Sequence, residues 1–239
     1  MPPPRRRRNW PRSSRKGIKP FPRFPSLQLL RITEIFHSLQ GESRSAGWPT
    51  VFVRLTGCPL RCVYCDTEYA FSGGAKMSIA EILDRVRSHG AHYVCVTGGE
   101  PLAQKACPEL LRALADEGYE VSLETSGAFD VSEVDPRVVK VVDLKTPSSG
   151  EVERNRYENL ALLGPKDQIK FVILNDEDYR WAIDKLQQYD LPARCEVLFS
   201  PAVGYQDPTE LAEKVLRDRL PVRFQIQLHK ILWGNQVGR

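Results

Sequence analysis

The sequence lacks any long uninterrupted apolar run, which excludes a membrane-spanning helix. It also lacks the apolar core of a secretory signal, and only six cysteines occur in 239 residues, so a disulfide-stabilised secreted domain is disfavoured. The four histidines lie far from the clustered cysteines and no second Cys-x-x-Cys pair exists, which argues against a structural zinc site. We therefore expect a cytoplasmic protein whose cysteines stay reduced.

Acidic residues are absent from the first 27 positions, which hold nine of the 34 basic side chains. The other 212 residues carry 25 basic and 30 acidic side chains, a net charge of −5, although the whole chain has +4. The basic segment is rich in Pro and Arg without apolar periodicity, so we expect residues 1–27 to be a disordered tail. Residues 28–239 have a suitable length for one catalytic domain.

Short apolar runs alternate with amphipathic segments beyond the tail. This alternation predicts β-α-β units around a parallel sheet. About six repeats indicate an α/β fold, an open (β/α)6 partial barrel. Helix starts are expected at Ser78, which forms a capping box with Glu81, at Asp176 and at Asp207. The predicted strands cover residues 29–38, 50–55, 93–97, 119–123, 138–142, 169–174, 196–199 and 224–228.

Three cysteines form a Cys-x-x-x-Cys-x-x-Cys array at Cys58, Cys62 and Cys65. Three thiolates on one short loop can bind an iron–sulfur cluster, and a [4Fe–4S] cluster normally has four such ligands. One iron is then open to a small molecule, which points to chemistry beyond electron storage. Cys95 and Cys195 lie in apolar runs and are expected to be buried core thiols.

The array, with Tyr64 before its last cysteine, resembles the radical S-adenosylmethionine (SAM) superfamily. In that superfamily SAM chelates the open iron, and an electron from the cluster cleaves SAM to a 5′-deoxyadenosyl radical. The Gly-Gly-Glu-Pro segment at 98–101 resembles the motif that holds the SAM amino group, and its carboxylate suits an ammonium. The resemblance implies a SAM site at the carboxyl ends of the strands, formed by Tyr64, Cys65, Asp66, Gly99, Asp143, Lys145, Ser200 and Pro201.

Further segments, at 36–42, 52–54, 65–67 and 227–230, resemble the 7-carboxy-7-deazaguanine synthase family. Members of that family convert 6-carboxy-5,6,7,8-tetrahydropterin to 7-carboxy-7-deazaguanine with loss of ammonia, in the queuosine pathway of tRNA modification. They use SAM catalytically and require Mg²⁺. The resemblance implies that the substrate is bound by Leu39, Gln40, Gly41, Glu42, Arg54, Thr97 and His229.

The chemistry of these residues agrees with such a substrate. Glu42 can accept hydrogen bonds from a pterin edge, and Arg54 can hold a carboxylate at two points. Thr67 offers a hard oxygen of the kind that Mg²⁺ accepts, and is the expected metal contact. The alternatives are a solvated charge for Arg54, a core histidine for His229 and a turn cap for Thr67.

Two other functions stay open at this point. A glycyl-radical-enzyme activating enzyme has the same cysteine spacing, but would lack the Leu-Gln-Gly-Glu turn and the Arg54 arrangement. An RNA-binding accessory protein could use the basic tail, but it leaves the cysteine array unexplained. The enzyme interpretation implies a flavodoxin- or ferredoxin-type reductant and a homodimer, with no need for nucleic acid or a membrane.

Overall fold

The structure, a computed structural model, describes residues 29–238, so the predicted tail over residues 1–27 lies outside the described residues. Within this range none of the helices is both long and apolar enough to cross a membrane. The strands are β1 (Leu29–Leu39), β2 (Pro49–Leu55), β3 (Ala75–Ser78), β4 (Tyr93–Gly98), β5 (Glu120–Thr125), β6 (Val139–Asp143), β7 (Gln168–Ile173), β8 (Glu196–Pro201) and β9 (Arg223–Phe224). The α-helices are α1 (Ile79–His89), α2 (Cys107–Asp116), α3 (Asp176–Gln188), α4 (Leu191–Arg194), α5 (Pro208–Arg217) and α6 (Leu228–Trp233).

The nine strands found in residues 29–238 belong to one sheet, in the order β3-β1-β2-β4-β5-β6-β7-β8-β9. The six strands β2, β4, β5, β6, β7 and β8 run parallel, with the short β9 added at one edge. At the other edge β1 pairs antiparallel with both β2 and β3. The sheet does not close, and the predicted open (β/α)6 partial barrel is confirmed.

Apolar side chains on one face of the sheet pack against the helices. Val53 and Val96 join the cluster beneath α1 and α2. Phe171 and Phe199 join the cluster beneath α3 and α5, where their rings meet edge to face at 5.6 Å. Burying a Val, Leu or Phe side chain contributes about 1.5–3 kcal/mol. Since successive strand residues point to opposite faces, the positions between these core residues face the inside of the barrel.

Two of the predicted helix starts are confirmed and one is wrong. The hydroxyl of Ser78 accepts from the Glu81 amide, and the Glu81 carboxylate accepts from the Ser78 amide, as a capping box requires. Asp207 caps α5 through its carboxylate, which accepts from the Glu210 amide at 3.0 Å. The start of α3 is capped by Asn175, whose amide oxygen accepts two backbone amides, whereas Asp176 is the first helical residue.

The last predicted strand, over residues 224–228, is wrong beyond Phe224. The chain leaves the sheet there because its polar groups find partners elsewhere. The side chain of Gln225 binds the backbone of Ser43 through both its oxygen and its nitrogen. The Leu228 amide donates to the Gly41 carbonyl at 3.0 Å and begins α6. The C-terminal segment is thereby fastened to the turn that follows β1.

Candidate active site

A cavity of about 500 Å³ lies at the carboxyl ends of the parallel strands, and its volume is in the range of small-molecule sites. Successive side chains of a strand point to opposite faces, and this decides which residues line the cavity. In β2, Phe52 and Arg54 face the cavity while Val53 faces the helices. The structure brings every predicted site residue except Glu100 into the lining of this one cavity. These are Leu39, Gln40, Gly41, Glu42, Arg54, Cys58, Cys62, Tyr64, Cys65, Asp66, Thr67, Thr97, Gly99, Asp143, Lys145, Ser200, Pro201 and His229.

The clustered cysteines lie on the loop that leaves β2, and all three are free thiols. The loop is ordered by backbone bonds, including one of 3.1 Å from the Cys65 amide to the Cys62 carbonyl. Burial raises the pKa of all three thiols, to about 11 for Cys62, so thiolate ligation to a metal must displace their protons. Cys95 and Cys195 are buried, as expected for core thiols.

Among residues 29–238, no three His, Cys, Asp or Glu side chains are close enough together to hold one metal ion. A [4Fe–4S] cluster has a separate iron for each thiolate. The three free thiols on one cavity wall therefore fit the ligand set of a cluster.

The glycines after β4 let the backbone pass directly against the cysteine loop. A β-carbon on Gly99 would lie 2.4 Å from the Gly57 carbonyl oxygen and 2.7 Å from the β-carbon of Cys58. The Glu100 amide then donates to the same Gly57 carbonyl at 2.8 Å. Only glycine fits at position 99, where the backbone itself lines the cavity beside the cysteines.

The Glu100 carboxylate does not line the cavity, which corrects the expectation that it accepts from a ligand ammonium. Glu100 is fully buried and accepts hydrogen bonds from the Leu102 amide, the Thr125 hydroxyl, and the amide and hydroxyl of Ser126. A buried carboxylate requires such donors. Its role is to fasten the turn after β4 to the end of β5.

Three buried polar atoms of the wall have no hydrogen-bond partner within the described residues: the Tyr64 hydroxyl, Oδ1 of Asp143 and the Ser200 hydroxyl. Oδ2 of Asp143, by contrast, accepts from Lys145 Nζ at 2.9 Å. Burial lowers the pKa of Lys145, but the Asp143 carboxylate outweighs this and the pKa is raised. A buried polar atom without a partner costs about 1–3 kcal/mol, so a polar ligand that pairs with these atoms is favoured.

The turn after β1 is anchored by a carboxylate that the sequence analysis missed. Glu124, near the end of β5, accepts from the Gln40 amide nitrogen at 3.2 Å and from the Thr97 hydroxyl at 2.9 Å. Both oxygens of Glu124 are therefore engaged, and the side chains of Gln40 and Thr97 are fixed in the cavity wall. The sequence feature that could have indicated Glu124 is a single acidic residue near the end of an apolar strand.

Glu42 forms a buried ion pair with Lys170, a second residue that the sequence analysis missed. The two charged atoms are 3.1 Å apart, and both side chains are about seven-eighths buried. Burial lowers the pKa of Lys170, but the Glu42 and Asp143 carboxylates raise it by a larger amount. The net effect is a raised pKa, so this lysine is protonated. The sequence feature that could have indicated Lys170 is a lysine within the apolar run of β7.

Arg54 is 16% exposed, so its interpretation as a solvated charge is wrong. Its Nε donates to Oε1 of Glu34 at 2.7 Å, and the guanidinium carbon lies 5.8 Å from the rings of Phe36 and Tyr69. Burial lowers the pKa of Arg54, but its anionic and phenolic neighbours outweigh this and raise it. Glu34 was also missed, because nothing in the sequence shows which residue of β1 lies opposite Arg54.

His229 lies on α6 and packs against the turn after β1. A β-carbon on Gly41 would lie 2.1 Å from Nδ1 of His229, so the close approach requires glycine. Burial lowers the pKa of His229, although the Glu42 and Asp66 carboxylates act in the opposite direction. The imidazole lines the cavity, which distinguishes it from a histidine enclosed in the apolar core.

Thr67 and Asp66 connect the cysteine loop to the C-terminal segment. The Thr67 hydroxyl donates to Oδ1 of Asp66 at 2.8 Å and does not cap the short helix Glu68–Ala70. Oδ2 of Asp66 accepts from Gln227 at 3.2 Å, and Lys230 Nζ lies 3.8 Å away. Burial raises the pKa of Asp66, but the bond from Thr67 and the charge of Lys230 outweigh this and lower it.

Comparison with known proteins identifies the family. Residues 52–143 match the radical SAM superfamily. The 7-carboxy-7-deazaguanine synthase of Chlorobaculum tepidum is 49% identical over 208 residues, which are 86% of this chain and 94% of that protein. The chain belongs to the 7-carboxy-7-deazaguanine synthase family. The enzyme of the same name from Koribacter versatilis is 44% identical over 219 residues, 85% of this chain and 97% of that protein.

A solved structure supports the fold of this family. QueE from Escherichia coli superposes with a TM-score of 0.67 at 24% identity, over 85% of this chain and 97% of that one. Family membership makes the chain a radical SAM enzyme that acts on a small molecule, with a [4Fe–4S] cluster and SAM as cofactors. The three free thiols and the unpartnered polar atoms beside them fit these two groups.

Proposed function

We propose that this chain converts 6-carboxy-5,6,7,8-tetrahydropterin to 7-carboxy-7-deazaguanine with release of ammonia, as a step of queuosine (7-deazapurine) biosynthesis. One observation carries the proposal: the clustered thiols share a single cavity with Arg54 and Glu42. The proposed site for radical chemistry and the proposed anchors for a small carboxylated heterocycle would thus share one cavity. The names of the relatives from Chlorobaculum tepidum and Koribacter versatilis support the same reaction.

Cys58, Cys62 and Cys65 would hold the cluster as thiolates. When bound, the cluster and SAM supply one-electron chemistry that removes a hydrogen atom from carbon. The protein's part is to bind and orient, which cofactor enzymes generally require. The Gly99 backbone and the unpaired Oδ1 of Asp143 would meet the polar groups of SAM. The other proposed SAM contacts are Tyr64, Cys65, Asp66, Lys145, Ser200 and Pro201.

The opposite part of the wall would hold the pterin. The Arg54 guanidinium can donate two parallel hydrogen bonds to the substrate carboxylate. Glu42 can accept from the donors on the pterin edge, together with the backbone of residues 39–41. Thr97 and Gln40, fixed by Glu124, would contact the ring, and His229 would cover it from α6.

Mg²⁺ is proposed to bind through the Thr67 hydroxyl. Mg²⁺ prefers oxygen ligands and keeps several waters, so one protein oxygen can be enough when the substrate supplies others. The Thr67 side chain lies in the cavity wall next to the cysteine loop. Held there, the metal would orient the pterin for hydrogen abstraction at the carbon that bears the carboxylate.

The remaining assignments concern the whole protein. We place the catalytic domain at residues 28–239 and the enzyme in the cytoplasm, where its six free thiols suit a reducing compartment. A flavodoxin- or ferredoxin-type protein would reduce the cluster. A homodimer would cover exposed apolar side chains such as Trp48, Ile231 and Leu232.

The decisive experiment is anaerobic turnover. Reconstituted enzyme is mixed with SAM, Mg²⁺, a reductant and the carboxypterin, and the deazaguanine product and ammonia are quantified. Formation of both in equal amounts is expected. Cleavage of SAM without a deazaguanine product would contradict the proposed substrate. Radical formation on an added protein substrate would favour an activating enzyme, and an RNA-dependent activity would favour the accessory-protein interpretation.

A further inference from the structure

A β-bulge turns Glu34 toward Arg54. The pairing register between β1 and β2 shifts by one residue between Ile32 and Glu34, so β1 carries one extra residue there. Ile32 and Ile35 both pack with the apolar cluster on the helix side, although strict alternation would place them on opposite faces. Without the bulge, the side chain at position 34 would point to the helices, as Ile32 does. The bulge therefore exchanges a core position for a position beside the cavity.

The bulge brings Glu34 into a compact arrangement around one guanidinium. Oε1 of Glu34 accepts from Arg54 Nε at 2.7 Å and from the Tyr69 hydroxyl at 2.8 Å. The rings of Phe36 and Tyr69 lie 5.8 Å from the guanidinium carbon, and Phe36 stacks on Phe52 at 4.9 Å. Within residues 29–238, the Arg54 side chain donates a hydrogen bond only through Nε. Its two terminal nitrogens donate none to this part of the protein.

We propose that Glu34 and Tyr69 are positioning residues, which orient Arg54 so that its terminal nitrogens present a two-point fork to the substrate carboxylate. The inference rests on the proposed function, because it takes a carboxylated substrate in the cavity as given. A guanidinium fixed through Nε keeps its plane constant, and bidentate recognition of a carboxylate depends on that plane. Glu34 also compensates the buried Arg54 charge when no ligand carboxylate is bound.

Tyr69 acts on Glu34 and on the Arg54 side chain together. The Tyr69 hydroxyl donates to Oε1 of Glu34 at 2.8 Å and so holds this carboxylate in addition to Arg54 Nε. Its ring meanwhile flanks the guanidinium, as in cation–π contacts. Loss of the Tyr69 hydroxyl removes one hydrogen bond to Glu34 and leaves the ring contact with Arg54. Loss of the Glu34 carboxylate removes the hydrogen bond from Arg54 itself. The two variants should therefore differ in size of effect.

The test measures selectivity for the carboxyl group. Enzyme loaded with cluster and SAM is titrated anaerobically with 6-carboxy-5,6,7,8-tetrahydropterin and with the same pterin lacking the carboxyl group. Glu34→Ala should lower the preference for the carboxylated ligand by about tenfold, the usual scale for one charged hydrogen bond. Glu34→Gln keeps an acceptor oxygen and should lose less, and Tyr69→Phe should lose the least. In turnover, KM for the carboxypterin should rise while kcat changes little.

The matched control is Glu68→Gln, which removes an exposed carboxylate next to Tyr69 that does not line the cavity. This variant should keep the wild-type preference. The inference is overturned if Glu34→Ala keeps or increases the preference, or if it weakens both ligands and SAM equally, as a general structural role would. If the Ala variant does not fold, the near-isosteric Glu34→Gln decides by the same criterion.

The titration also separates this inference from the proposed function. Wild-type enzyme that binds the carboxypterin selectively but forms no deazaguanine would refute the proposed reaction and leave the role of Glu34 intact. If the wild-type enzyme forms the deazaguanine and both Glu34 variants keep its preference for the carboxylated pterin, the proposed reaction stands and the positioning role of Glu34 is refuted.

Discussion

The two ends of β6 carry buried ion pairs that differ in one respect. At the amino end, Lys140 binds Asp167 at 3.0 Å, and both Asp167 oxygens also accept backbone amides. At the carboxyl end, Lys145 binds Asp143 at 2.9 Å, but the second oxygen of Asp143 has no partner among the described residues. Charge is buried at both ends.

The difference shows that burial of charge does not by itself mark a functional site. The Lys140 pair is complete within the protein, so it stabilises the barrel and offers nothing to a ligand. The Asp143 pair is incomplete and lies in a cavity wall. Parallel sheets generally bind ligands at the carboxyl ends of their strands, where the connecting loops can leave such groups open.

The largest effect should come from the thiols. Cys62 lines the cavity at the carboxyl ends of the strands, whereas Cys195 belongs to the apolar core. Cys62→Ala should abolish SAM cleavage, because a [4Fe–4S] cluster with two protein ligands is not retained. Iron content, which we expect to be about four atoms per wild-type chain, should fall with it. The control Cys195→Ala removes a thiol from the helix-side core and should keep iron and cleavage. Full activity of Cys62→Ala would contradict the cluster assignment.

The ion pairs themselves should separate stability from ligand binding. Lys140→Met leaves Asp167 buried without its cation and should lower the free energy of unfolding by about 3–5 kcal/mol, measured by urea denaturation. Lys145→Met should cost less stability, since Asp143 borders a cavity that admits water, but should weaken SAM binding. Equal destabilisation by both variants, with SAM affinity unchanged, would remove the distinction between the two ends.

Arg54 tests the carboxyl-end region from the substrate side. Arg54→Lys should reduce kcat/KM for the carboxypterin nearly as much as Arg54→Ala, because a lysine cannot offer a planar two-point fork. Loss of a desolvated, hydrogen-bonded charge costs on the order of 2–5 kcal/mol. SAM affinity should remain at the wild-type value. Unchanged KM and kcat in the Lys variant would show that Arg54 does not hold the carboxylate.

The smallest effect is expected at Thr67. Thr67→Ala should retain iron, SAM binding and uncoupled SAM cleavage, while product formation loses its stimulation by Mg²⁺. Thr67→Ser keeps the oxygen and should resemble wild type. The readout is a Mg²⁺ titration of product formation. An Ala variant that responds to Mg²⁺ like the parent would place the metal elsewhere.

Local patterns were sufficient for the barrel and for the cysteine array. Apolar runs identify the parallel strands because a strand buried on both faces must be apolar, and the spacing of Cys58, Cys62 and Cys65 lies within one loop. Prediction failed where a residue's role depends on distant partners. The segment at 224–228 was expected to extend the sheet, but Gln225 binds Ser43 and the chain turns away.

The sequence by itself determined the parallel sheet and the position of the cysteines, since each depends on residue types at short, regular spacing. Its separate segments at 36–42, 52–54, 65–67 and 227–230 also resemble the family to which the chain belongs. Only the tertiary structure decided how the polar residues are used. It buried Glu100 among four donors instead of exposing it to a ligand, and it paired Glu42 with Lys170 across 128 residues of chain. It also placed Glu34 beside Arg54 through a bulge, because strand register is set by pairing between strands and not by either strand alone.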